Sequence, residues 1–446
     1  MHLLGIDLGG TFIKSAVLDT RKHELREIRR RPFPAFLPES VPGAREIDPE
    51  RVLAIVRSII DESLALDPSI EGLVFSTQMH SVLLCSVSGS ALTACATWQD
   101  QRSLVNGVWA EIQKLSADGI SWSLGNELKP GHPCAVLTSW KSSLPASVWN
   151  GAMPLSLADW IVFRLSGYPL PLHPTQAAAT GLWSILNGGW HREWISHLGL
   201  GALHFPEIST HSIVSTVEIA GKKLRILPPI GDQQAALLGV GLQSGDLSVN
   251  VATGSQVSQI LDAIPPASSS QFQLRPFFDG KLLATITHLP AGRSLNSWVR
   301  TLSQLAIDCG VTEQECWRRL VESAESIQVE GLPQVDLSLF PCATGSEGSV
   351  TKLREANLSA AHLFRAALRS MAENYRNASG ALPQAHSSKI LVSGGLAQKI
   401  EILRSDLNHL LKLPIAVSGI SEDALNGLLI YATSRLINPT NSNSFT

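Results

Sequence analysis

The pattern that most constrains the fold of this chain is a pair of apolar, β-branched segments around a small polar tip, which occurs twice. The first copy is HLLGIDLGGTFIKSAVLD near the N-terminus, and the second is LSVNVATGSQVSQILD in the second half. Four positions have the same mutual spacing in the two copies, namely Asp7, Gly10, Ser15 and Asp19, then Asn250, Thr253, Ser258 and Asp262. Such segments around a glycine-containing tip are typical of a β-hairpin. We therefore expect one related hairpin in each half of the chain.

A second pair of similar segments follows the hairpins in the same order. GLVFSTQMH (residues 72–80) and KILVSGGLA (residues 389–397) are both apolar strands that end in Ser and small or polar residues. The two pairs together indicate an ancient duplication, with insertions in the second half because the spacing between the pairs differs. Segments with helical periodicity, such as PERVLAIVRSIIDESLAL and SAAHLFRAALRSMAENYRNA, lie between the strands. The alternation predicts an α/β fold class.

The length of 446 residues predicts two or three domains. We expect a linker near residues 215–227, with an N-terminal domain at residues 1–225 and a C-terminal domain at residues 226–446. The polar tail NPTNSNSFT is expected to fray.

The charge pattern argues against nucleic acid or an anionic membrane as a partner. The 35 basic and 38 acidic residues give a formal charge of -3, and they form no long single-sign blocks. Small molecules are the expected partners. Six cysteines without a CxxC pair are expected to be buried free thiols. The N-terminus has no signal-peptide pattern, so we expect a cytoplasmic protein.

The hairpin tips offer backbone N–H groups to a phosphate, because small side chains allow close approach. The residues concerned are Gly9, Gly10 and Thr11 in the first tip and Thr253, Gly254 and Ser255 in the second. Each tip alone is equally compatible with a tight turn that needs glycine. Two such tips in one chain favour a polyphosphate ligand, although no GxxxxGK[ST] sequence is present.

Two further features are compatible with a phosphate or metal site. Asp7, directly before the first tip, could hold a water or Mg²⁺ through its carboxylate. Gly394 and Gly395 follow a strand and precede a helix, where a phosphorylated group could approach the backbone. A plain strand-to-helix turn would also account for these two glycines.

Polar and aromatic side chains follow the apolar strands in STQMHS and ATWQDQRS. The residues are Gln78, His80, Trp98, Asp100 and Arg102. Hydroxyl groups pair with amides and carboxylates, and an indole packs on C–H groups, so the set suits a polyhydroxylated ligand. Individually, His80 and Trp98 could be core residues, and Asp100 with Arg102 could be a weak surface charge pair.

One carboxylate stands in PPIGDQQAALLG, between a Pro-Pro-Ile segment and an apolar helical pattern. The local sequence alone favours a helix-capping role for Asp232.

Several of these motifs together resemble the FGGY carbohydrate kinases over nearly the full chain. They are, in order, GIDLGGTFIK, QMH, TWQDQR, GDQQAALLG, ATGSQVS and SGGLAQKI. The resemblance implies two ribonuclease H-like, actin-like ATPase domains around a central cleft. It also implies that ATP and Mg²⁺ bind mainly to the second domain and a ketose mainly to the first.

The resemblance further implies roles for individual residues. Asp232 matches the catalytic base, and Asp7 and Asp232 would lie near Mg²⁺. The sugar-pocket positions are Gln78, Met79, His80, Trp98 and Asp100, and the nucleotide-side positions are Gly9, Gly10, Thr11, Thr253, Gly254, Ser255, Gly292, Gly394 and Gly395. The chain departs from the family pattern at GSEGS, where Gly-Glu-Arg is common, and at Thr175, where Asp is common.

The expected reaction is phosphoryl transfer from ATP to the terminal primary hydroxyl of a ketose. Within the family the chain is most similar to the sedoheptulokinases, so sedoheptulose is the first candidate, with xylulose and ribulose as alternatives. We expect the helix dipole to keep Asp232 ionised at neutral pH. A non-catalytic sugar or nucleotide sensor and an actin-like or chaperone-like ATPase are further alternatives. A monomer or a homodimer is expected.

Overall fold

The computed structural model describes residues 1–116, 119–209, 215–219, 221–266, 269–383 and 387–436. The chain forms two compact units. Unit 1 consists of Met1–Gly241, Leu274–Leu282 and the described part of Ile420–Thr446, and unit 2 consists of Leu242–Gln273 and Leu283–Gly419. The chain thus leaves unit 1 after Gly241, which differs from the predicted boundary after Arg225, and it returns to unit 1 twice. The tail that was expected to fray lies outside the described residues.

The strands of the first 231 residues are short apart from four long ones. They are β1 (His2–Leu8), β2 (Phe12–Asp19), β3 (Glu24–Pro32), β4 (Glu46–Ile47), β5 (Ile70–Thr77), β6 (Leu83–Cys85), β7 (Cys95–Ala96), β8 (Met153–Leu155), β9 (Trp183–Ser184), β10 (Gly189–Trp190), β11 (Ser215–Ile219), β12 (Lys222–Ile226) and β13 (Ile230–Gly231).

Helices alternate with these strands. They are α1 (Pro49–Leu66), α2 (Arg102–Val105), α3 (Val108–Leu115), α4 (Ile120–Ser123), α5 (Pro133–Lys141), α6 (Ala146–Trp149), α7 (Leu157–Ser166), α8 (Pro174–Ala178), α9 (Arg192–His197) and α10 (Asp232–Gly239). The helical pattern PERVLAIVRSIIDESLAL is confirmed as α1, which begins after the N-cap Asp48 with proline at the first helical position.

The main sheet of unit 1 has the order β11-β12-β5-β1-β2-β3, and β13 also pairs with β5. The predicted first hairpin is confirmed as the antiparallel pair β1 and β2, while β1 and β5 run parallel. Apolar side chains of β1, β5 and α1 are buried together with those of α7 in one core. This packing fixes the end of β1 beside the end of β5, where Asp7 is the register partner of Ser76.

The linker that we expected near residues 215–227 is instead part of this sheet. The described residues of the segment form the antiparallel pair β11 and β12, and β12 also pairs with β5 in a parallel direction. The alternation of apolar Val217, Leu224 and Ile226 with charged residues is the strand signal in this segment, because these three side chains are buried. The prediction of a linker here was wrong.

Unit 2 repeats the arrangement of unit 1. Its elements are β14 (Leu247–Val251), β15 (Ser255–Leu261), β16 (Gln273–Pro276), which continues into unit 1, β17 (Leu282–Leu289), α11 (Gly292–Asp308), α12 (Glu313–Glu325), β18 (Gln334–Asp336), β19 (Ser349–Thr351), α13 (Ala360–Ala381), β20 (Ile390–Ser393), α14 (Gly395–Lys399), α15 (Glu401–Leu411) and β21 (Ile415–Val417). The sheet order is β16-β17-β15-β14-β20-β21. The second predicted hairpin is confirmed as β14 and β15, and β14 runs parallel to β20.

The last helix, α16 (Asp423–Leu436), belongs to unit 1 and packs closely on α10. Two glycines make this approach possible. A Cβ atom on Gly239 would collide with the Asp423 carbonyl oxygen, and one on Gly427 would collide with the Ala235 carbonyl oxygen. The Asn426 amide also donates a hydrogen bond to the Gly239 carbonyl oxygen at 2.6 Å. The two backbones therefore hold the position of α10 from its C-terminal end.

Two further findings concern membrane crossing and the cysteines. Among the described residues, no helix combines the length and the apolar character that a membrane crossing requires. Four thiols are buried as expected, those of Cys85, Cys95, Cys134 and Cys316. Cys309 is exposed and Cys342 is half-buried, so the prediction of buried thiols was wrong for these two.

Candidate active site

Asp232 stands at the junction between a strand and a helix in unit 1. β13 pairs with the end of β5, with Gly231 opposite Thr77, and α10 begins at the next residue. The N-cap is Gly231, and the side chain of Asp232 accepts a hydrogen bond from its neighbour, the Gln233 N–H, at 2.8 Å. Asp232 is therefore the first helical residue rather than the cap that the local sequence favoured.

The protonation of Asp232 differs from the sequence-based expectation. Burial, together with the nearby charge of Asp7, raises the pKa of Asp232 to about 7. The Gln233 N–H and Arg275 act in the opposite direction and do not outweigh burial. The prediction that the helix dipole keeps this carboxyl ionised at neutral pH was wrong, because near pH 7 both forms are populated.

Asp7 lies at the end of β1 and is buried. Its carboxylate accepts a hydrogen bond from the Ser76 hydroxyl at 2.8 Å, as the strand register brings the two residues together. Burial raises the pKa of Asp7, while the hydrogen bond from Ser76 and the charge of Lys14 lower it. The carboxyl groups of Asp7 and Asp232 both have a raised pKa, and the charge of Asp7 contributes to the shift of Asp232. Their oxygens are a suitable donor set for a hard divalent cation such as Mg²⁺.

The first hairpin tip lies beside the polar residues that follow β5. A Cβ atom on Gly10 would lie 3.6 Å from the Gln78 side-chain oxygen, and one on Gly9 would lie 3.1 Å from the Phe12 carbonyl oxygen. Gln78 is buried, and within the described part of the chain its amide nitrogen has no hydrogen-bond partner. An unsatisfied buried donor is costly, so this position suits a ligand that accepts a hydrogen bond. Thr11 is exposed at the same tip.

His80 belongs to a cluster that the sequence did not predict. Its ring stacks on that of His132 at 3.8 Å with an interplanar angle of 4°. Each Nδ1 lies 2.8 Å from a backbone carbonyl oxygen, that of Ala179 for His80 and that of Glu127 for His132. His80 Nε2 lies 3.8 Å from a carboxylate oxygen of Glu127. Burial lowers the pKa of His132 well below its usual value, so this ring is neutral at pH 7.

The His80–Glu127–His132 cluster has ligand atoms within 4.8 Å of one another. A metal ion must lie near the plane of each imidazole that binds it. Two parallel rings 3.8 Å apart do not direct their lone pairs to one point, so the observed geometry does not suit a metal ion. The Glu127 Oε2 atom is buried and has no hydrogen-bond partner among the residues described. It is thus an acceptor that a ligand hydroxyl could satisfy.

Arg275 connects this cluster with Asp232. Its Nε donates to Glu127 Oε1 at 2.5 Å, and its Nη1 donates to the Gln233 side-chain oxygen. Arg275 is buried and lies in Leu274–Leu282, the segment that returns to unit 1. Burial also lowers the pKa of the neighbouring Lys129 to about 8. The only sequence signal for Arg275 is a charged residue inside the otherwise apolar segment LRPFF.

The other predicted sugar-pocket residues, Met79, Trp98 and Asp100, lie in three different environments. Met79 is buried, with its sulfur 3.9 Å from Arg275 Nη1, so it lies at the cluster. Trp98 is exposed over 44% of its surface. Asp100 is fully buried, and its oxygens accept hydrogen bonds from Arg102 and from the Arg45 N–H at 2.7 to 3.0 Å.

Arg102 also donates to a second buried carboxylate, Glu46, at 2.6 Å. The interpretation of Asp100 and Arg102 as a surface charge pair was therefore wrong, since both belong to a buried ion-pair network. Each oxygen of Asp100 has a protein donor, so this residue stabilises its loop.

Unit 2 contains a cavity of about 640 Å³ beside the second hairpin tip. Its lining includes Thr253, Gly292, Arg293, Trp317, Phe340 and Gly395. The Arg293 guanidinium lies 3.7 Å from the centre of the Phe340 ring. Aromatic rings and arginine on one cavity wall suit a ligand with a flat ring and an anionic group.

The predicted nucleotide-side glycines of unit 2 fall into two kinds. Gly394 has a φ of +88°, and a Cβ atom there would collide with the Val251 carbonyl oxygen. A Cβ atom on Gly292 would lie 2.6 Å from the Ala252 carbonyl oxygen. These two glycines are required by backbone packing, whereas Gly254 and Gly395 have open space around them. Ser255 is buried, and its hydroxyl donates to the Leu289 carbonyl oxygen at 3.2 Å.

Solved structures share this fold. The gluconate kinase from Lactobacillus acidophilus superposes with a TM-score of 0.84 at 20% identity, covering 98% of this chain and 89% of that one. The xylulose kinase from Rhodospirillum rubrum gives a TM-score of 0.84 at 16% identity, covering 97% and 90%. The class of protein is therefore a mixed α/β protein with the actin-like ATPase fold of two ribonuclease H-like domains.

The chain belongs to the FGGY family of carbohydrate kinases, because the model of the family's N-terminal domain matches residues 2–239. The sedoheptulokinase of Homo sapiens is 24% identical, covering 98% of both chains. A glycerol kinase of Marinomonas sp. is 23% identical, covering 97% of this chain and 89% of its own. The chain is thus a sugar kinase, an enzyme that transfers a phosphoryl group to an alcohol.

Proposed function

We propose that this sugar kinase transfers the γ-phosphoryl group of ATP to the terminal primary hydroxyl of a ketose, with sedoheptulose as the first candidate and sedoheptulose 7-phosphate as the product. The observation that carries the proposal is Asp232, a carboxyl group at the start of α10 whose pKa is raised to about 7. A base with a pKa near the working pH accepts a proton efficiently and releases it again. The similarity to sedoheptulokinases over 98% of the chain supports the substrate.

The acceptor side of the proposal rests on buried polar atoms in unit 1. Gln78 and Gln176 each have a side-chain nitrogen, and Glu127 has a carboxylate oxygen, without a hydrogen-bond partner in the described part of the protein. A sugar hydroxyl both donates and accepts hydrogen bonds, so a polyhydroxylated chain can satisfy donors and acceptors together. Apolar or purely anionic acceptors cannot do so.

The donor side of the proposal rests on the cavity of unit 2. Its volume of about 640 Å³ lies in the range of cofactor sites. The Trp317 indole donates to the Asn296 side-chain oxygen at 3.0 Å, which fixes the ring in the cavity lining. Thr253 and Gly395 are part of the same lining, and the open space at Gly395 leaves room for phosphate oxygens. We assign this cavity to ATP.

In the proposed mechanism Asp232 orients the acceptor hydroxyl through a hydrogen bond and takes its proton as the new oxygen–phosphorus bond forms. Phosphoryl transfer depends mainly on positioning and charge neutralisation, so the proton moves late. Mg²⁺, when bound, would neutralise phosphate charge, and Asp7 and Asp232 would hold it. Arg275 keeps Gln233 and Glu127 in place beside the base.

The test is a coupled assay of ADP release with a panel of ketoses and polyols, performed on the wild type and on Asp232→Asn. The variant keeps the shape of the side chain, so we expect normal folding and a fall in turnover of about two to four orders of magnitude. Asp61→Asn, on the exposed face of α1, is the matched control and should keep wild-type turnover.

Near-normal turnover in Asp232→Asn would remove this residue from the catalytic role. Strong preference for xylulose or ribulose would replace sedoheptulose as the substrate. Binding of a sugar without ADP release would favour the sensor. The cytoplasmic location and the monomeric or homodimeric state stay predictions.

A further inference from the structure

The Ala-rich segment HPTQAAAT contains Thr175. This segment forms α8, and Thr175 is completely buried. The Thr175 hydroxyl oxygen accepts a hydrogen bond from the Gly231 N–H at 3.1 Å. The same oxygen lies 2.8 Å from His173 Nδ1. Thr175 therefore contacts the residue directly before Asp232.

The direction of the hydrogen bonds follows from their partners. His173 Nδ1 accepts from the Thr175 N–H at 3.3 Å, so this nitrogen carries no proton. Burial, with a further contribution from the charge of Arg435, lowers the pKa of His173 to about 3, which keeps the ring neutral. The Thr175 hydroxyl proton then points to Nδ1, and its oxygen faces Gly231. The Gly231 N–H therefore donates to the Thr175 hydroxyl, and the Thr175 hydroxyl donates to His173 Nδ1.

The position of Gly231 decides where Asp232 points. Gly231 is the N-cap of α10, so its peptide orients the first helical residue. On one side β13 holds Gly231 to the end of β5. A side chain on Gly231 would collide with the Gln234 amide and would lie 3.3 Å from Met79, so the space around it is closed. Thr175 supplies the polar contact that fixes the peptide orientation within this space.

We propose that Thr175 is a positioning residue for Asp232, acting through the Gly231 N–H and held in turn by His173. This inference rests on the proposed role of Asp232 as the base. A hydroxyl fits here because it accepts from Gly231 and donates to His173 at the same time. An ionised aspartate accepts only, and it would face the lone pair of a neutral His173 Nδ1. The threonine thus matches its histidine neighbour.

The test compares Thr175→Val, Thr175→Ala and Thr175→Ser. Valine keeps the shape but removes both hydrogen bonds, alanine removes them without a bulky replacement, and serine keeps them. We expect a roughly 30-fold fall in kcat for valine and alanine, because small displacements of a reacting group are costly. The KM for ATP should change less than about twofold, and serine should restore kcat to within about threefold.

The matched control is Thr138→Val in α5. The Thr138 hydroxyl donates to the Cys134 carbonyl oxygen one turn earlier in the same helix, at 2.7 Å. This variant should keep kcat. Amide hydrogen exchange at Gly231 gives a readout that does not require activity: protection should fall at least about tenfold in Thr175→Val and return in Thr175→Ser.

The outcomes separate this inference from the proposed function. If the wild type releases ADP with a ketose and Asp232→Asn does not, the proposed function holds. An unchanged kcat in folded Thr175→Ala would then overturn only the role of Thr175, as would a Thr175→Ser variant as slow as Thr175→Val. Absence of acceptor-dependent turnover in the wild type would overturn the proposed function and, with it, the positioning role.

Discussion

The two units place the same pair of positions at the same point of a duplicated sheet, but only one unit has a charge there. In unit 1 the carboxylate of Asp7 accepts a hydrogen bond from Ser76 at 2.8 Å. In unit 2 the amide of Asn250 donates a hydrogen bond to Ser393 at 2.9 Å. Both contacts join the central strand of the sheet to its parallel neighbour, at register partners in each case.

This difference shows how a duplicated scaffold can divide a reaction between its copies. Unit 1 collects acidic side chains, since burial and then the charge of Asp7 raise the pKa of Asp232. Unit 2 offers a neutral amide, open glycines and an arginine beside its cavity, which suit an anionic polyphosphate. The strand pairing is the same in both units. The replacement of a carboxylate oxygen in Asp7 by an amide nitrogen in Asn250 removes the negative charge at this position.

Among the changes at the paired positions of the two units, the largest effect is expected when the charge of unit 1 is removed with Asp7→Asn. The variant should fold, because the amide can still pair with Ser76. Turnover should fall by about two orders of magnitude, since the charge near the transferred group is lost. Steady-state kinetics with the preferred ketose measure this effect. Turnover within about threefold of the wild type would show that the charge difference between the units has no role in the reaction.

The reciprocal change, Asn250→Asp, places a charge at the tip of unit 2. The carboxylate would repel the phosphates of ATP, so the KM for ATP should rise about tenfold. The KM for the sugar should change little, because the residues that we propose for the sugar belong to unit 1. Titration of ATP at saturating sugar tests the prediction. A larger effect on the sugar KM than on the ATP KM would contradict our assignment of the units.

Two neighbouring glycines sharpen the comparison within unit 2. Gly394→Ala forces a side chain into a positive φ and against the Val251 backbone, and should lower the free energy of unfolding by about 3 kcal/mol. Gly395→Ala faces open space and should leave stability within about 0.5 kcal/mol, while it raises the KM for ATP a few fold. Urea denaturation and ATP titration of both variants separate the two roles. Equal destabilisation would show that both glycines serve only packing.

The smallest effect is predicted for two buried carboxyl groups, one in each unit, and it concerns the pH dependence of thermal stability. Burial raises the pKa of Asp159 in unit 1 to about 7, and Ser156 is its side-chain partner. Asp406 in unit 2 is paired with Arg365 at 2.5 Å and with Arg369 at 3.2 Å. Because the folded pKa of Asp159 exceeds the unfolded value, its stabilising contribution is complete below about pH 4 and is lost as the pH rises towards 7.

We expect Asp159→Asn to raise the melting temperature by roughly 3 °C at pH 8. The variant should also show a smaller fall in melting temperature between pH 5 and 8 than the wild type. Asp406→Asn should instead lower it at every pH in this range, because it leaves the buried Arg365 without its anion. Thermal melts at several pH values measure both. A parallel pH dependence in the wild type and in Asp159→Asn would contradict the assigned protonation.

Local patterns in the sequence were sufficient for the repeated scaffold. The two hairpins, the parallel strands after them and α1 follow from residues close together in the chain, where apolar periodicity and capping determine the structure. The segment at residues 215–227 was missed because short alternating strands with charged residues resemble a linker. The return of Leu274–Leu282 and of α16 to unit 1 depends on contacts between distant residues, for which the sequence gives no local sign.

The candidate site was predictable only in part for the same reason. Asp232, Gln78 and His80 lie beside recognisable motifs. Glu127, His132 and Arg275 come from a loop, a helix start and a returning strand, and only the fold brings them together. The protonation of Asp232 depends on its distance from Asp7 and on burial, so the helix position alone gave the wrong sign.

The glycine crossing of α10 and α16 has a consequence for the order in which the chain is completed during translation. Unit 2 is almost continuous in the sequence and ends at Gly419, whereas unit 1 needs the helix that follows it. While the ribosome is still adding residues up to Leu436, the surface of α10 that Gly427 will cover is bare. The helix that starts at Asp232 therefore acquires its final support last, although it emerges from the exit tunnel long before the whole of unit 2 does.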